Sequence, residues 1–519
     1  MSKQEANEPV GDAAFRSGPP PEQTPLRDNL ESIALAILLV LCVRQMVVEA
    51  FRIRHGSMAP TLVGDHREIR CPNCGWTFNT GRDKLNHEGE VECPNCHWHW
   101  AGAARVDERG LPLDFWNPEW LWNRAKTADG EVLAGSEAAN RVYRGAGRIF
   151  VNKFIYRLRK PRRWEVTVFV FPLYDARCKV CDWTGQVESL DAICPDCGSD
   201  ALELRARNFI KRIVGLPGET IELRDGDVYV DGVLARKPPG VQSQLWFHVF
   251  DSRFWPEREV RQIWDLFPHS ERWEIRDDGA RLLLDATGAE GYVLGAFAPD
   301  IVDYYAYDGL SYQLAGDALH AAGENPVGDC RIRALVRVTD QGPDAAVALA
   351  IEDAGYEFLC SFSADGSGVE LRDGDVLLAR GEARSLPAEE PVWIGLENYD
   401  DRVVARVDGE AVLSYEYDGA PNLRHSVRFG ARNARVAWDR IAIDRDIYYA
   451  DVSRRGSTRE QQRLGEDEYY VLGDNSPASS DSRRWREPGI PEENLIGRAF
   501  FVFWPVHQMK WLMGNGSPD

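Results

Sequence analysis

The sequence predicts a mainly β protein, and three observations carry that reading. Short strand-like runs recur along most of the chain, separated by turn pairs such as Asp365-Gly366, Asp373-Gly374 and Asp408-Gly409. Four Cys-x-x-Cys pairs, grouped two and two, mark two small ribbon-like units. A single apolar segment, Leu30 to Phe51, lies near the N-terminus and ends a few residues before Gly56-Ser57-Met58. The 519 residues leave room for roughly three or four domains by the length prior. A formal charge of -21 argues against a nucleic-acid binder, which needs a basic stripe.

Residues 1–29 are polar and carry two Pro-rich patches, so they read as a disordered tail. Residues 30–52 read as one transmembrane helix, since about 20 apolar residues span a bilayer core. Arg44 lies in its last third and can snorkel to the interface. A buried amphipathic helix is the alternative. Basic residues after the segment (Arg52, Arg54, Arg67, Arg70) outnumber those before it (Lys3, Arg16, Arg27). Taken alone, that bias puts the C-terminal part in the cytoplasm, yet large domains translocate regardless of it.

Cys71, Cys74, Cys93 and Cys96 form the first ribbon, residues 71–100. Cys178, Cys181, Cys194 and Cys197 form the second, residues 178–199. Thiolates at these spacings converge on one tetrahedral metal, so structural zinc is expected at both four-cysteine sites, with disulfides as the alternative. A closed four-thiolate shell leaves no open position, so no cofactor is expected for catalysis. Residues 101–140 form an insertion of unclear structure.

Strand-like runs at Arg148–Asn152 and Glu165–Phe171, two short strands flanking a Leu216-Pro217-Gly218 turn within Asn208–Leu223, and a hairpin at Val228–Val233 form the parts at 141–177 and 204–236, with 53–70 before them and 465–513 after. Between them, 240–450 reads as an inserted β-sandwich of jelly-roll or lectin-like type. Its strands are expected at Arg331–Val338, Ala346–Ile351, Tyr356–Ser361, Val369–Leu371, Val392–Glu397, Arg402–Val407, Val427–Ala431 and Ala437–Ile443. Cys330 and Cys360 lie inside it, paired or as free core cysteines. No ligand site stands out in this module.

A serine hydroxyl needs a base to become a nucleophile, and a buried lysine can be that base because desolvation favours the neutral amine. Lys211 sits in the apolar run Phe209-Ile-Lys-Arg-Ile-Val, which supplies that environment. The bland alternative is a lysine on the solvated face of an edge strand. Ser479 could orient the amine as the third member of a triad orients its base. Asp481 and Arg483 are expected behind it, with Arg212 as one partner through a carboxylate–guanidinium pair.

At this point the chain resembles the type I signal peptidases. Val47-Val-Glu-Ala-Phe-Arg-Ile-Arg-His-Gly-Ser-Met-Ala-Pro-Thr-Leu62 resembles their membrane exit and nucleophile box. Asn208-Phe-Ile-Lys-Arg-Ile-Val-Gly-Leu-Pro-Gly-Glu219 resembles their lysine box. Tyr470-Val-Leu-Gly-Asp-Asn-Ser-Pro-Ala-Ser-Ser-Asp-Ser-Arg483 resembles their Gly-Asp-Asn box, with Asp474 in it. Gly497-Arg-Ala-Phe-Phe-Val-Phe-Trp-Pro505 resembles their closing strand, and Val151-Asn-Lys-Phe-Ile-Tyr156 the strand before the central box. The similarity covers 30–70, about 141–177, 204–236 and 465–513.

The resemblance implies an antiparallel β catalytic domain held by one membrane helix, interrupted by the ribbons and the sandwich. It implies Ser57 as nucleophile, Lys211 as general base, and Ser479 holding the lysine. Asp481 and Arg483 shape the site, and Met58 lines the substrate pocket. The reaction it implies is removal of N-terminal signal peptides from secretory preproteins after small residues, on the outer face of the cytoplasmic membrane. Lipid bilayer and preprotein are then the partners.

Three departures stand out. His55 occupies a position where relatives often carry a Ser or Gly that helps form the oxyanion hole. Gly147-Arg148 replaces a Gly-Asp, and Trp164-Glu165 replaces another. A catalytically silent binding scaffold is the competing reading, opposed by the joint presence of Ser57, Lys211 and Ser479. A self-cleaving repressor-type serine–lysine protease is the third, opposed by the membrane segment and the lack of a DNA-binding region.

Overall fold

The structure is a computed structural model that describes residues 29–36, 47–81, 91–100, 143–144, 147–187, 192–258, 262–308, 325–419, 425–450 and 461–512. The chain divides into two units, residues 1–49 and 50–519. In the first, 29–36 is helical, while nearly all of the expected tail and residues 37–46 lie outside the described residues. The reading of 30–52 as one helix is corrected at its C-terminal end, because Val48–Arg52 is a strand. Val47-Val-Glu-Ala-Phe holds β-branched and aromatic residues that suit a strand as well as a helix, and hydropathy alone does not separate the two. Among the described residues no helix is long and apolar enough to cross a membrane. The unclear insertion at 101–140 also lies outside the described residues.

The second unit is mainly β, and the pairings of the lysine strand and of the long strands of the inserted module are antiparallel. In the sheet that carries the site, Arg148–Asn152, Leu495–Trp504, Val166–Cys178, Leu202–Gly215, Glu468–Leu472 and Ile490–Pro491 lie side by side in that order. Sequence neighbours are thus interleaved with strands from the far end of the chain. Leu202–Gly215 is the lysine strand. Val166–Cys178 flanks one side of it from Leu202 to Arg212, and Glu468–Leu472 flanks the other only from Arg212 onward. A small sheet of Val233–Leu234, Asp227–Val230, Thr220–Arg224 and Gln462–Arg463 follows. Its Asp231-Gly232 turn has φ of 50° and 84°, the left-handed pair that a two-residue hairpin needs.

The inserted module is one 13-stranded sheet whose strands share a single apolar core. Two runs expected as separate strands, Arg331–Val338 and Ala346–Ile351, are one strand, Cys330–Asp353. Register shifts at Val338/Asp340 and Gln341/Ala346 bend it. Ser426–Arg445 likewise joins two expected strands. Bulges bend a strand without ending it, so a gap in the apolar pattern was misread as a break. Phe247–Asp251, Trp273–Arg276, Arg281–Asp285 and Val293–Phe297 add strands that the sequence reading did not assign. Cys330 and Cys360 are buried free thiols in this core.

The first ribbon is fastened to this module by the same residue of each knuckle. Asn73 Nδ2 donates to Arg258 O (3.0 Å) and its Oδ1 accepts from Arg258 N (2.8 Å). Asn95 Nδ2 donates to Phe254 O and its Oδ1 accepts from Asp251 N. Trp76 stacks on His248 at 3.7 Å. The second ribbon continues the hairpin of Val166–Cys178 and Leu202–Gly215 outward, and its Cys181 and Cys197 are exposed.

Candidate active site

Strand alternation sends Lys211 and Arg212 to opposite faces of the sheet. Both are buried, at 2% and 0% exposure. Lys211 Nζ lies 2.6 Å from Ser57 Oγ. Burial is the main cause that lowers the Lys211 amine, to about 8; Asp481 and Asp474 pull it back up and Arg483 pushes it down. A lysine at that value is poised between its charged and neutral forms near neutral pH.

Ser57 sits in a tight turn closed by Ala59 N to Gly56 O (3.0 Å) and Leu62 N to Met58 O (2.7 Å). The turn is docked on the Gly-Asp-Asn segment, where Asn475 N donates to Ser57 O at 3.0 Å and Asn475 Nδ2 to Gly56 O at 3.2 Å. Met58 is 1% exposed and packs among Ile53, Leu62, Ile149, Val151 and Val166. His55 is exposed.

Two buried ion pairs frame Ser57 and Lys211, and they differ from the pairing the sequence suggested. Arg212 forks onto Asp474, with Nε to Oδ1 at 2.8 Å and Nη2 to Oδ2 at 2.7 Å. It does not pair with Asp481. Asp481 instead forks onto Arg483 at 2.9 and 2.7 Å and accepts from Gly473 N at 3.0 Å. Burial alone would raise the Asp481 carboxyl, but the Arg483 charge and hydrogen bonds hold it below the usual range. Arg483 also donates to Ser476 Oγ and O, which pins the loop that follows the Gly-Asp-Asn turn. Bidentate arginine pairs of this kind fix geometry as well as charge.

Ser479 is brought to the site but makes no hydrogen bond to the lysine. Its buried Oγ has no hydrogen-bond partner among the described residues, and it packs where a Cβ on Gly473 would come within 2.2 Å of it. The same added Cβ would lie 2.4 Å from Ser57 O, so only glycine fits between the two serines.

The Trp164 departure has a structural explanation. Trp164 has φ of 71°, a left-handed backbone that favours glycine. It is 1% exposed, packs with Val214, Ile221 and Tyr470, and its carbonyl accepts from Arg212 Nη1 at 2.8 Å. Packing of a large side chain offsets the strain.

Sequence reasoning missed Asn475, Ser476, Tyr307 and Asp308. The first two lie inside the recognised Gly-Asp-Asn box, and their box membership was a usable signal. Tyr307 and Asp308 lie in the inserted module far along the chain, and nothing local points from them to Ser57.

The cysteines of each quartet are free thiols drawn within 4.8 Å of one another. Sγ–Sγ distances are 3.7 Å for Cys71–Cys96, 3.6 Å for Cys74–Cys93, 3.6 Å for Cys178–Cys197 and 3.5 Å for Cys181–Cys194. Four sulfurs about 2.3 Å from one zinc stand about 3.8 Å apart, so both quartets fit that ion. No disulfide links them.

The family model "Signal peptidase, peptidase S26" matches residues 133–245 and 422–504. A probable signal peptidase I-2 of Synechocystis sp. is 50% identical over 57 residues, 11% of this chain and 25% of that protein. A signal peptidase I of Pseudomonas fluorescens is 27% identical over 117 residues, 20% of this chain and 39% of that protein. The chain thus spans a quarter to two-fifths of the length of these relatives. Among solved structures, the carbohydrate binding module CBM66 from Bacillus subtilis is 13% identical with a TM-score of 0.21, covering 34% of this chain and 88% of that one.

Proposed function

We propose that this member of the type I signal peptidase family is a membrane-bound serine endopeptidase that removes N-terminal signal peptides from exported preproteins. The observation that carries the reading is the 2.6 Å approach of a buried, lowered lysine to Ser57 Oγ. Neutral Lys211 takes the Ser57 proton as Oγ attacks the scissile carbonyl carbon. The backbone N–H of Ser57 is one donor to the oxyanion that forms. The C–N bond then breaks, the Lys211 ammonium returns the proton to the leaving amine, and an acyl-Ser57 ester remains. Water, deprotonated by the same amine, hydrolyses that ester and restores Ser57.

An extended peptide substrate suits the sheet. Among the described residues, the lysine strand has no strand partner before Arg212 on the side facing Glu468–Leu472. Phe209–Lys211 thereby offers backbone groups beside the nucleophile to an added strand. Small residues before the cut, as Ala-x-Ala supplies, fit the family's specificity. We place the catalytic unit on the outer face of the cytoplasmic membrane, anchored by the apolar segment that precedes the strand Val48–Arg52. Each cysteine quartet is assigned one structural zinc, which takes no part in the reaction.

The test is cleavage of a preprotein carrying an Ala-x-Ala site by the detergent-solubilised chain, with Ser57→Ala and Lys211→Ala alongside. Cleavage lost in both variants is expected. Cleavage retained in either would overturn the dyad.

A further inference from the structure

We propose that the inserted module supplies positioning residues to the catalytic serine: Tyr307 and Asp308 hold the Gly56-Ser57 turn in its reactive geometry. The inference rests on the proposed peptidase reading and extends it to a segment outside the family's boxes.

Both residues belong to a one-turn 3-10 helix, Ala306–Asp308, whose three residues are all buried. Tyr307 lies directly against the nucleophile turn. A Cβ on Gly56 would stand 1.9 Å from Tyr307 Cε1 and 2.5 Å from its Cζ. The ring therefore fills the space that any side chain at position 56 would need. Asp308 acts through one intermediary. Its Oδ1 accepts from Asn475 Nδ2 at 2.8 Å, and the same amide nitrogen donates to Gly56 O at 3.2 Å. The carboxylate thus fixes which way the Asn475 amide points, and with it the carbonyl next to Ser57.

The segment that carries them is tied down at every step. Arg445, from the long strand Ser426–Arg445 of the inserted sheet, donates to Asp303 O and Tyr304 O at 2.9 and 3.0 Å. Tyr304 OH donates to Glu92 O in the first ribbon, and Thr80 Oγ1 to Ala306 O. Tyr305 stacks on Tyr307 and meets Phe247 edge-on. Ribbon, inserted sheet and nucleophile turn converge on residues 303–308. A serine held this way keeps its hydroxyl at bonding distance from Lys211 with little reorganisation, and loss of such alignment costs roughly 10²-fold in rate.

The experiment uses the full chain and the Ala-x-Ala preprotein. Gly56→Ala is expected to lower kcat by about 10²-fold through its clash with Tyr307. Adding Tyr307→Ala should recover about tenfold of that loss, because it vacates the colliding ring. Asp308→Ala should lower kcat about tenfold or more with KM within about twofold, and Asp308→Asn, which keeps an acceptor oxygen for Asn475, should restore most of it. Circular dichroism and the concentration of folded protein normalise each rate, and the Gly56→Ala pair still decides if Asp308→Ala does not fold. An unchanged kcat in Asp308→Ala, or no recovery in the double variant, would overturn the positioning role while wild-type cleavage leaves the peptidase standing. A wild-type chain that does not cleave would overturn both.

Discussion

Two lysines of this molecule are buried equally, at 2% and 3% exposure, and their surroundings drive them in opposite directions. Lys211 faces a serine hydroxyl, and the nearest carboxylates, Asp481 and Asp474, are each committed to an arginine. Burial prevails there and lowers the amine to about 8. Lys237 lies where the small sheet after the lysine strand meets the inserted module. It is paired with Asp400 and, at 2.9 Å, with Asp446, and it sits 6.0 Å from the Trp164 ring centre. Burial alone would lower it, but Asp400, Asp446 and Asp227 hold it well above its usual value. Burial sets the stakes, and the charges left uncommitted nearby decide whether a lysine becomes a base or a permanent ion.

That contrast can be broken most directly at Lys211. Lys211→Met should reduce cleavage by about 10³-fold or more, measured as kcat, because it removes the amine that lies 2.6 Å from Ser57 Oγ. The same change should raise stability at pH 7 by about 1–3 kcal/mol in urea unfolding, since it removes a charge from a site that disfavours it. The sign follows from the lowered value. Burying the ammonium costs stability below pH 8, and that cost fades as pH rises from about 8 towards the unfolded value. A variant both inactive and less stable would contradict the assignment.

Lys237→Met should do the reverse. It leaves Asp400 and Asp446 without their cation, and breaking a buried pair this way costs about 3–5 kcal/mol by denaturant midpoint. Among molecules that remain folded, cleavage should persist. Next in size comes the pH profile. With Lys211 at about 8, kcat should rise roughly tenfold per unit up to pH 8 and level off above it. The Lys237 pair should contribute nothing to that profile, as its value is raised and its stabilising effect is lost only at alkaline pH. A flat profile from pH 6 to 9 would remove the base role from Lys211. The smallest effect belongs to the second four-cysteine unit, which continues the end of the lysine strand away from Lys211. Cys194→Ser should lower zinc from about two ions per chain to about one by metal analysis, with kcat within about twofold.

Much of the site was legible in the chain because its chemistry is carried by short contiguous boxes. Ser57, Lys211, Asp474 and Arg483 come from separate short boxes that the fold brings together, and the cysteine spacings lead to two quartets whose sulfurs lie close together. The partner assignments were not legible. The sequence offers Arg212 to Asp481, and only the register that sets Arg212 opposite Leu472 brings Asp474 to it. Trp164 could be read as a departure but not explained until its positive φ was seen. The strand at Val48–Arg52 was hidden by hydropathy, which scores apolar residues alike in strand and helix. Tyr307 and Asp308 were beyond reach, since their contacts to Gly56 and Asn475 join positions more than about 160 residues apart in the chain.

The lysine strand gains its second neighbour only when Arg212 meets Leu472 across a loop of about 260 residues. Closing so long a loop adds little to the free-energy cost, because that cost grows only with the logarithm of length. It weighs far more on timing, since pairings distant in sequence form late. During synthesis Ser57, Lys211 and the acids Asp474 and Asp481 emerge in that order, with the inserted module between Lys211 and the acids. A nascent chain thus carries Ser57 and Lys211 before the Asn475 contacts that dock the Ser57 turn and the Asp474 and Asp481 ion pairs that frame it can form.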